Sequence, residues 1–253
     1  MTAYHIVIPA RLSAQRLPNK PLAMIAGRSL IEHVYRKACE SNTDSVIIAT
    51  DSAEVFKVAE SFGANVLMTS ADHQSGSDRL AECIEIMGWP DDAVVVNLQG
   101  DEPLMPSVCL DQVASLLENS PDSEVASLYF PIQTVQEILD PNVVKVVLDS
   151  SQRALYFSRS TIPFPRGQSL EESVARGLTW KRHVGLYAYR AGVLRLFSRM
   201  APSPLESLEK LEQLRFLEAG HMISMAQAAQ FIPAGVDTPA DLERVRKVLA
   251  ESD

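Results

Sequence analysis

Arg11, Arg16 and Lys20 stand within ten residues of one another in IPARLSAQRLPNKPL, residues 8 to 22, directly after a short apolar run. Three cations at that spacing make a phosphate-sized cluster, without the glycines that usually let backbone N–H groups approach a pyrophosphate. Side-chain charge must then supply the attraction, and a triphosphate is the ligand it suits. The loop leaves the end of a predicted parallel strand, where open α/β sheets bind ligands, and this favours a binding loop over a merely solvated basic turn. Two unit charges about 4 Å apart are worth roughly 4 kcal/mol at an effective dielectric near 20. Local placement therefore matters more than the formal net charge of −9. That acidic total argues against a nucleic-acid partner, which needs a broad basic surface.

Matching carboxylates follow. AVVVNLQGDEP puts Gln99, Gly100, Asp101 and Glu102 behind an almost wholly apolar strand, the kind found in the middle of a parallel sheet. A carboxylate there, facing a cation-rich loop, reads as a ligand for magnesium (Mg2+), which takes one or two protein carboxylates and completes its shell with substrate phosphates. Asp101 receives that role; Glu102, before Pro103, orders the turn. Asp237 in PAGVDTPADLERV has two readings. It caps the following helix, or it converges with Asp101 if FIPAGV forms a late strand at the same sheet edge, and spacing leaves both open. TSADHQSGSDRL, residues 69 to 80, ends a strand and opens a helix, with Gly76 allowing close backbone approach, Ser75 and Ser77 able to hydrogen-bond, and Arg79 in the first turns. On its residues alone this stretch is a helix cap. His73 has no second histidine or cysteine at ligand spacing.

The elements that position these groups follow from periodicity. HIVIPA, SVIIAT, NVLMT and AVVVNL alternate with the helical patterns SLIEHVYRKACES, SAEVFKVAESFG, GSDRLAECIEIMG and SVCLDQVASLLEN. Four such units predict an α/β fold, a mostly parallel nucleotide-binding sheet flanked by helices. Ser29 with Glu32 reads as a capping box, and Gly63 and Gly88 as helix ends. After about residue 122 the pattern turns to strands: EVASLYFPI, a hairpin of VVKVVLDS and RALYFSR, then HVGLYAYR after an excursion at 162 to 181 carrying Pro163, Pro165, Gly167 and Gly177. This predicts a smaller β-rich lobe at about 125 to 190 inserted in a single domain, its apolar hairpin surface pointing to a homodimer. GVLRLFSRM, PLESLEKLEQLRFLEAG as one helix, a strand MISMAQ and a last helix capped by Thr238 complete the chain.

With 253 residues and 46% apolar content the chain can bury its own core. Cys39, Cys83 and Cys109 are odd in number and widely spaced, which predicts buried free thiols in a reducing cytoplasm. No window has the length of a membrane span, so no membrane association is expected.

PARLSAQRLPNKPL resembles the signature loop of the CMP-sugar synthetases. Together with ADHQSGSDRLAE, VNLQGDEP, NVVKVVLD, ALYFSRSTIP, SPLESLEKLEQLR and GVDTPADLERVR, it makes the chain similar, essentially end to end, to the 3-deoxy-manno-octulosonate cytidylyltransferases. The departures are Asn19 where glycine is usual, Ser77-Asp78 for Thr-Glu, and Leu98 for valine. The resemblance implies transfer of CMP from CTP to the sugar acid 3-deoxy-D-manno-octulosonate (Kdo), making CMP-Kdo for lipopolysaccharide. It implies that Arg11, Arg16 and Lys20 hold the CTP phosphates, Asp101 and Asp237 bind magnesium, and Gln74, Ser75 and Gly76, with Arg79 nearby, receive cytosine. Gln99, Arg159, His183, Tyr187, Glu212 and Gln213 would surround the sugar. The residues agree in part: Arg159 suits a carboxylate, and His183 and Tyr187 share a strand face by even spacing. Glu212 and Gln213 read by themselves as polar helix surface. Alternatives are the same reaction on 8-amino-Kdo or a sialic acid, a uridylyl- or guanylyltransferase, and a catalytically silent nucleotide sensor.

Overall fold

The computed structural model describes residues 3–12, 17–73 and 75–250. Its first half alternates strand and helix: β1 (Tyr4–Ala10), β2 (Met24–Ile25), β3 (Arg28–Ser29), α1 (Leu30–Cys39), β4 (Ser45–Thr50), α2 (Ala53–Ser61), β5 (Asn65–Met68), α3 (Gly76–Met87), β6 (Val94–Asn97) and α4 (Ser107–Glu118). The second half runs β7 (Val125–Pro131), α5 (Val135–Leu139), β8 (Lys145–Leu148), β9 (Ala154–Ser158), α6 (Leu170–Ala175), β10 (Lys181–Arg190), α7 (Ala191–Phe197), α8 (Pro204–Glu209), α9 (Gln213–Glu218), β11 (Ile223–Gln227) and α10 (Pro239–Ala250).

Strand order across the main sheet is β11-β7-β10-β6-β1-β4-β5, with β8 pairing β10 and β9. Along that path only β10 runs against its neighbours, pairing antiparallel with β6 and β7; the other pairings are parallel. Period-two alternation explains why the strands are apolar throughout. Ile6, Ile8, Val94 and Val96 pack on one side with α1 and α4, while Val7 and Val95 pack on the other with α3 and α7.

The antiparallel turn of β10 has a positional consequence. Its first residues lie beside the last residues of β7, so β10 brings the start of a strand to the edge where its neighbours end. Of residues 125 to 190, β7 and β10 belong to the main sheet, while the β8–β9 hairpin extends from β10. The excursion before β10 contains α6, and its Leu170 and Val174 pack on a small core of Ile132, Ile138 and Trp180.

Several local expectations change. PLESLEKLEQLRFLEAG is two helices, because Lys210 adopts the left-handed conformation (φ 55°) and ends α8. The FIPAGV segment is irregular, not a strand. Only half of the Ser29–Glu32 box forms: Ser29 Oγ accepts from the Glu32 N–H, while the Glu32 carboxylate accepts from Arg36 Nε. Cys39 is exposed; Cys83 and Cys109 are buried free thiols.

Candidate active site

The loop after β1 and the loop after β6 face each other across a cleft of about 230 Å³, walled by Arg11, Lys20, Gly76, Gln99, Gly100 and Asp101. The loop after β6 touches the end of β1 through backbone at Gly100. A Cβ there would lie 2.8 Å from the Pro9 carbonyl oxygen, so only glycine allows this approach without displacement. Asn19, just before Lys20, has φ 55° and ψ 29°. That is the conformation glycine favours and asparagine tolerates better than most residues, which explains how asparagine fills the position.

Lys20 is the electrostatic centre. Its Nζ donates to Asp101 Oδ2 at 2.6 Å and to Asp237 Oδ1 at 3.1 Å. Burial alone would lower the pKa of Lys20; the charges and hydrogen bonds of Asp101 and Asp237 outweigh it and hold the ammonium above its ordinary range. Asp237 arrives without the expected strand, because the Val236 N–H donates to the Asp101 carbonyl at 2.8 Å. Nor is its carboxylate needed as a helix cap. Thr238 Oγ1 accepts from the Asp241 N–H, and Asp241 Oδ2 accepts in return from the Thr238 N–H, closing the cap one residue later.

The space between Asp101 and Asp237 already takes a cation, and two hard oxygen donors directed at one point suit magnesium. No group of three or more His, Cys, Asp or Glu with metal-site geometry occurs among the described residues, so phosphates and water would complete such an ion's shell. Glu102, given only a turn role by the sequence, is pushed up to about 7 by burial and by the charges of Asp101 and Asp237.

At the start of α3, Ser75 is the N-cap and forms a full capping box with Asp78, so aspartate performs the reciprocal bond at that position. Arg11 donates to the Ser75 carbonyl at 2.8 Å, joining the cation loop to this segment. A Cβ on Gly76 would meet only Pro9 Cγ at 3.8 Å, ordinary contact. Arg79 lies beneath the helix start rather than on the cleft wall: it is 0% exposed, pairs with Asp51 at 2.8 Å and bonds Thr69. Arg16 and Gln74 lie outside the described residues.

The residues expected around a sugar occupy neighbouring positions rather than one cavity. Gln99 is in the cleft with Lys20. His183 lines a second cavity with Glu102, Arg182 and the Val143–Val144 turn. Arg159, just after β9, donates from Nε to the Glu209 carbonyl (2.8 Å) and from a terminal nitrogen to the Pro141 carbonyl (3.0 Å). The break at Lys210 turns Glu212 and Gln213 inward, not to the surface as a continuous helix would. Burial pushes the Glu212 carboxyl up, against hydrogen bonds from Ser75 and Ser77.

Among the described residues, Asn97 Oδ1, Tyr187 OH, Glu212 Oε1 and Gln213 Nε2 are buried without a hydrogen-bond partner. Tyr187 is the register partner of Asn97 and feels the charge of Glu212. A folded protein leaves few such atoms unsatisfied, and neighbouring ones mark a polar recess. Asn97 was missed, although a polar residue ending the VVVN strand was a visible signal. Lys145 was missed too: inside the apolar NVVKVV run, its fully buried ammonium donates to the carbonyls of Asp140 (3.0 Å), Val143 (2.6 Å) and Arg159 (2.5 Å). It ties the Arg159 backbone to the β8 entry.

Comparison with known proteins agrees with this geometry. A family model described as cytidylyltransferase matches residues 5–223. The 3-deoxy-manno-octulosonate cytidylyltransferase of Francisella tularensis subsp. holarctica is 50% identical over 248 residues, covering 98% of this chain and 99% of that protein. Its counterpart from Thioalkalivibrio sulfidiphilus is 49% identical over 253 residues, with the same coverage. A solved CMP:2-keto-3-deoxy-manno-octonic acid synthetase complexed with CTP superposes with a TM-score of 0.90 at 40% identity, covering 100% of both chains. The chain thus belongs to the cytidylyltransferase family and, within it, to the 3-deoxy-manno-octulosonate cytidylyltransferases.

Proposed function

We propose that this chain catalyses attack of the anomeric hydroxyl of Kdo on the α-phosphorus of CTP, giving CMP-Kdo and pyrophosphate for lipopolysaccharide synthesis. The observation that carries the reading is the convergence of Asp101 and Asp237 on Lys20 in a cleft at the ends of β1 and β6. In this reading Arg11, Arg16 and Lys20 hold the triphosphate, and Lys20 stabilises the charge that grows at the α-phosphate. The hydroxyl oxygen forms the new P–O bond, pyrophosphate leaves with the electrons of the broken one, and the hydroxyl proton passes to solvent. Asp101 and Asp237 would hold magnesium, which when bound supplies Lewis-acid polarisation of the phosphate and eases ionisation of the hydroxyl. No side chain becomes covalently modified; positioning and charge stabilisation do the chemistry.

Gln74, Ser75 and Gly76 receive cytosine at the start of α3. Gln99, Arg159, His183, Tyr187, Glu212 and Gln213 surround the acidic sugar, with the unused part of the Arg159 fork directed to its carboxylate. The buried, unpartnered atoms of Tyr187, Glu212 and Gln213 support a polyhydroxylated ligand, whose hydroxyls both donate and accept. A homodimer belongs to the same reading, supported by Leu155 on the hairpin and Phe164 in the excursion, 61% and 81% exposed. Free thiols support a cytoplasmic setting. Pyrophosphate release from CTP and magnesium with Kdo, 8-amino-Kdo or a sialic acid, with UTP and metal-free controls, tests the function. Magnesium-dependent release with CTP and Kdo, and not with UTP or the other two acids, is expected; silence with all three acids sinks the reading.

A further inference from the structure

Strand β10 pairs with β7 in two stretches that are out of step. Val184 stands opposite Leu128 and Tyr187 opposite Ser127, so Gly185 and Leu186 are extra on the β10 side. Such a bulge leaves backbone groups without ladder partners. One side chain takes them here: the Ser127 hydroxyl, fully buried, lies 3.0 Å from the Val184 carbonyl and 2.9 Å from the Leu186 carbonyl.

The bulge also sets the distance between His183 and Tyr187. Residues four apart on an unbulged strand are ~13 Å apart, but the partners Tyr129 and Ser127 are separated by two residues, ~7 Å. The two rings accordingly meet, with centroids 5.3 Å apart. Because the excess is an even number of residues, both side chains stay on one face.

Donor counting then favours one tautomer of His183. Its Nε2 lies 3.3 Å from Ser127 Oγ. A hydroxyl has one proton and carbonyls only accept, so the arrangement that satisfies the most groups spends the Ser127 proton on Val184 and Leu186 and lets its oxygen meet Nε2 as an acceptor. In that arrangement Nε2 carries the hydrogen. Burial pulls the imidazole down to about 3, so the ring is neutral and Nδ1 keeps its lone pair.

We propose that Ser127 is a positioning residue: by closing the β10 bulge it holds His183 beside Tyr187 in the Nε2–H form, with Nδ1 offered as acceptor to a hydroxyl of the sugar acid. The proposal rests on His183 facing the sugar, as in the functional reading above.

Proton–nitrogen NMR correlation of histidine-labelled protein, with His183 signals assigned by their loss in His183→Asn, reports the tautomer without substrate. The expected result is protonated Nε2 and bare Nδ1 in the wild type, and a mixture of tautomers in Ser127→Ala. In pyrophosphate-release kinetics, Ser127→Ala should raise KM for the sugar acid roughly tenfold, the upper scale of one neutral hydrogen bond, with KM for CTP unchanged. Ser127→Cys, similar in shape but a weak donor, should fall between. A wild-type proton on Nδ1, an unaltered tautomer in Ser127→Ala, or an altered tautomer with wild-type sugar KM each overturns the proposal. Should Ser127→Ala fail to fold, the wild-type spectrum and Ser127→Cys decide. If no sugar acid turns over, the functional reading fails separately, and the pairing is overturned or kept by the spectra.

Discussion

Gly100→Ala is the sharpest perturbation of the cleft, because the contact it would strain joins the loop that carries Asp101 to the end of β1, from which the Lys20 loop departs. The added Cβ would lie 2.8 Å from the Pro9 carbonyl oxygen, whereas ordinary contact begins at 3.4 Å. Both sides are main chain, so a flexible side chain cannot absorb the difference, and the loops must part by about half an ångström in a close-packed setting. Overpacking of this kind costs about 1–3 kcal/mol. At roughly 2–4 °C per kcal/mol for a domain of this size, Tm should fall by about 2–12 °C. The same displacement lengthens the 2.6 Å Lys20–Asp101 contact. Since a misplacement of about 1 Å can cost 10²-fold, kcat should fall at least roughly tenfold. Differential scanning fluorimetry and pyrophosphate release measure the two effects on one preparation. Gly76→Ala is the contrast: its Cβ meets only Pro9 Cγ at 3.8 Å, so Tm should hold and any loss must come from approach of the nucleotide. A Gly100→Ala protein with wild-type Tm and wild-type kcat refutes the claim that backbone contact at Pro9 sets the cleft.

Other perturbations separate charge from packing. Lys20→Met should lower kcat by roughly 10²–10³, the scale for one preorganised electrostatic stabiliser, while calorimetry without nucleotide should show tighter magnesium binding once the competing ammonium is gone. Unchanged turnover removes Lys20 from the chemistry. Asp51→Ala strands the buried Arg79 charge; with Asp51 itself 19% exposed, the loss should be about 3 kcal/mol, read as Tm. A wild-type Tm would mean that Arg79 needs no counter-ion there. His183 has a folded pKa of about 3 against an ordinary 6.5, so below 6.5 the unfolded chain binds the proton more readily. Its contribution to stability is therefore complete above pH 6.5 and declines as pH falls from there towards 3. The Tm difference between wild type and His183→Gln should shrink over that window; a difference independent of pH would contradict the neutral imidazole.

How far the sequence carried depended on whether a feature was written in neighbouring residues. Asp101 drew attention because a carboxylate just beyond an apolar strand has few structural explanations, and Lys20 because it closes a cluster of cations in the loop after β1. Asp237 was not, because what delivers it is a backbone bond from Val236 to a residue far earlier in the chain. Glu212 and Gln213 were misread as helix surface because the break before them is at Lys210, a residue with none of the glycine or asparagine signal that usually announces a left-handed position. His183 and Tyr187 were placed on one face correctly. The two-residue bulge that makes them neighbours left no mark beyond Gly185. Arg79 shows the reverse case: the resemblance put it near the base, and burial against Asp51 depends on the end of β4, which no local pattern ties to it.

The bond between Lys20 and Asp237 joins positions 217 apart. Most of the sheet is assembled from residues before 191, but the second carboxylate of the cleft arrives only when the chain beyond β11 folds back over the end of β6. Long-range closure of that kind is entropically costly and slow relative to local pairing. A chain interrupted between β11 and α10 could retain its ladders while holding a single carboxylate beside Lys20. The cleft therefore reports on long-range closure, since one of its charges is supplied from beyond the last strand of the sheet.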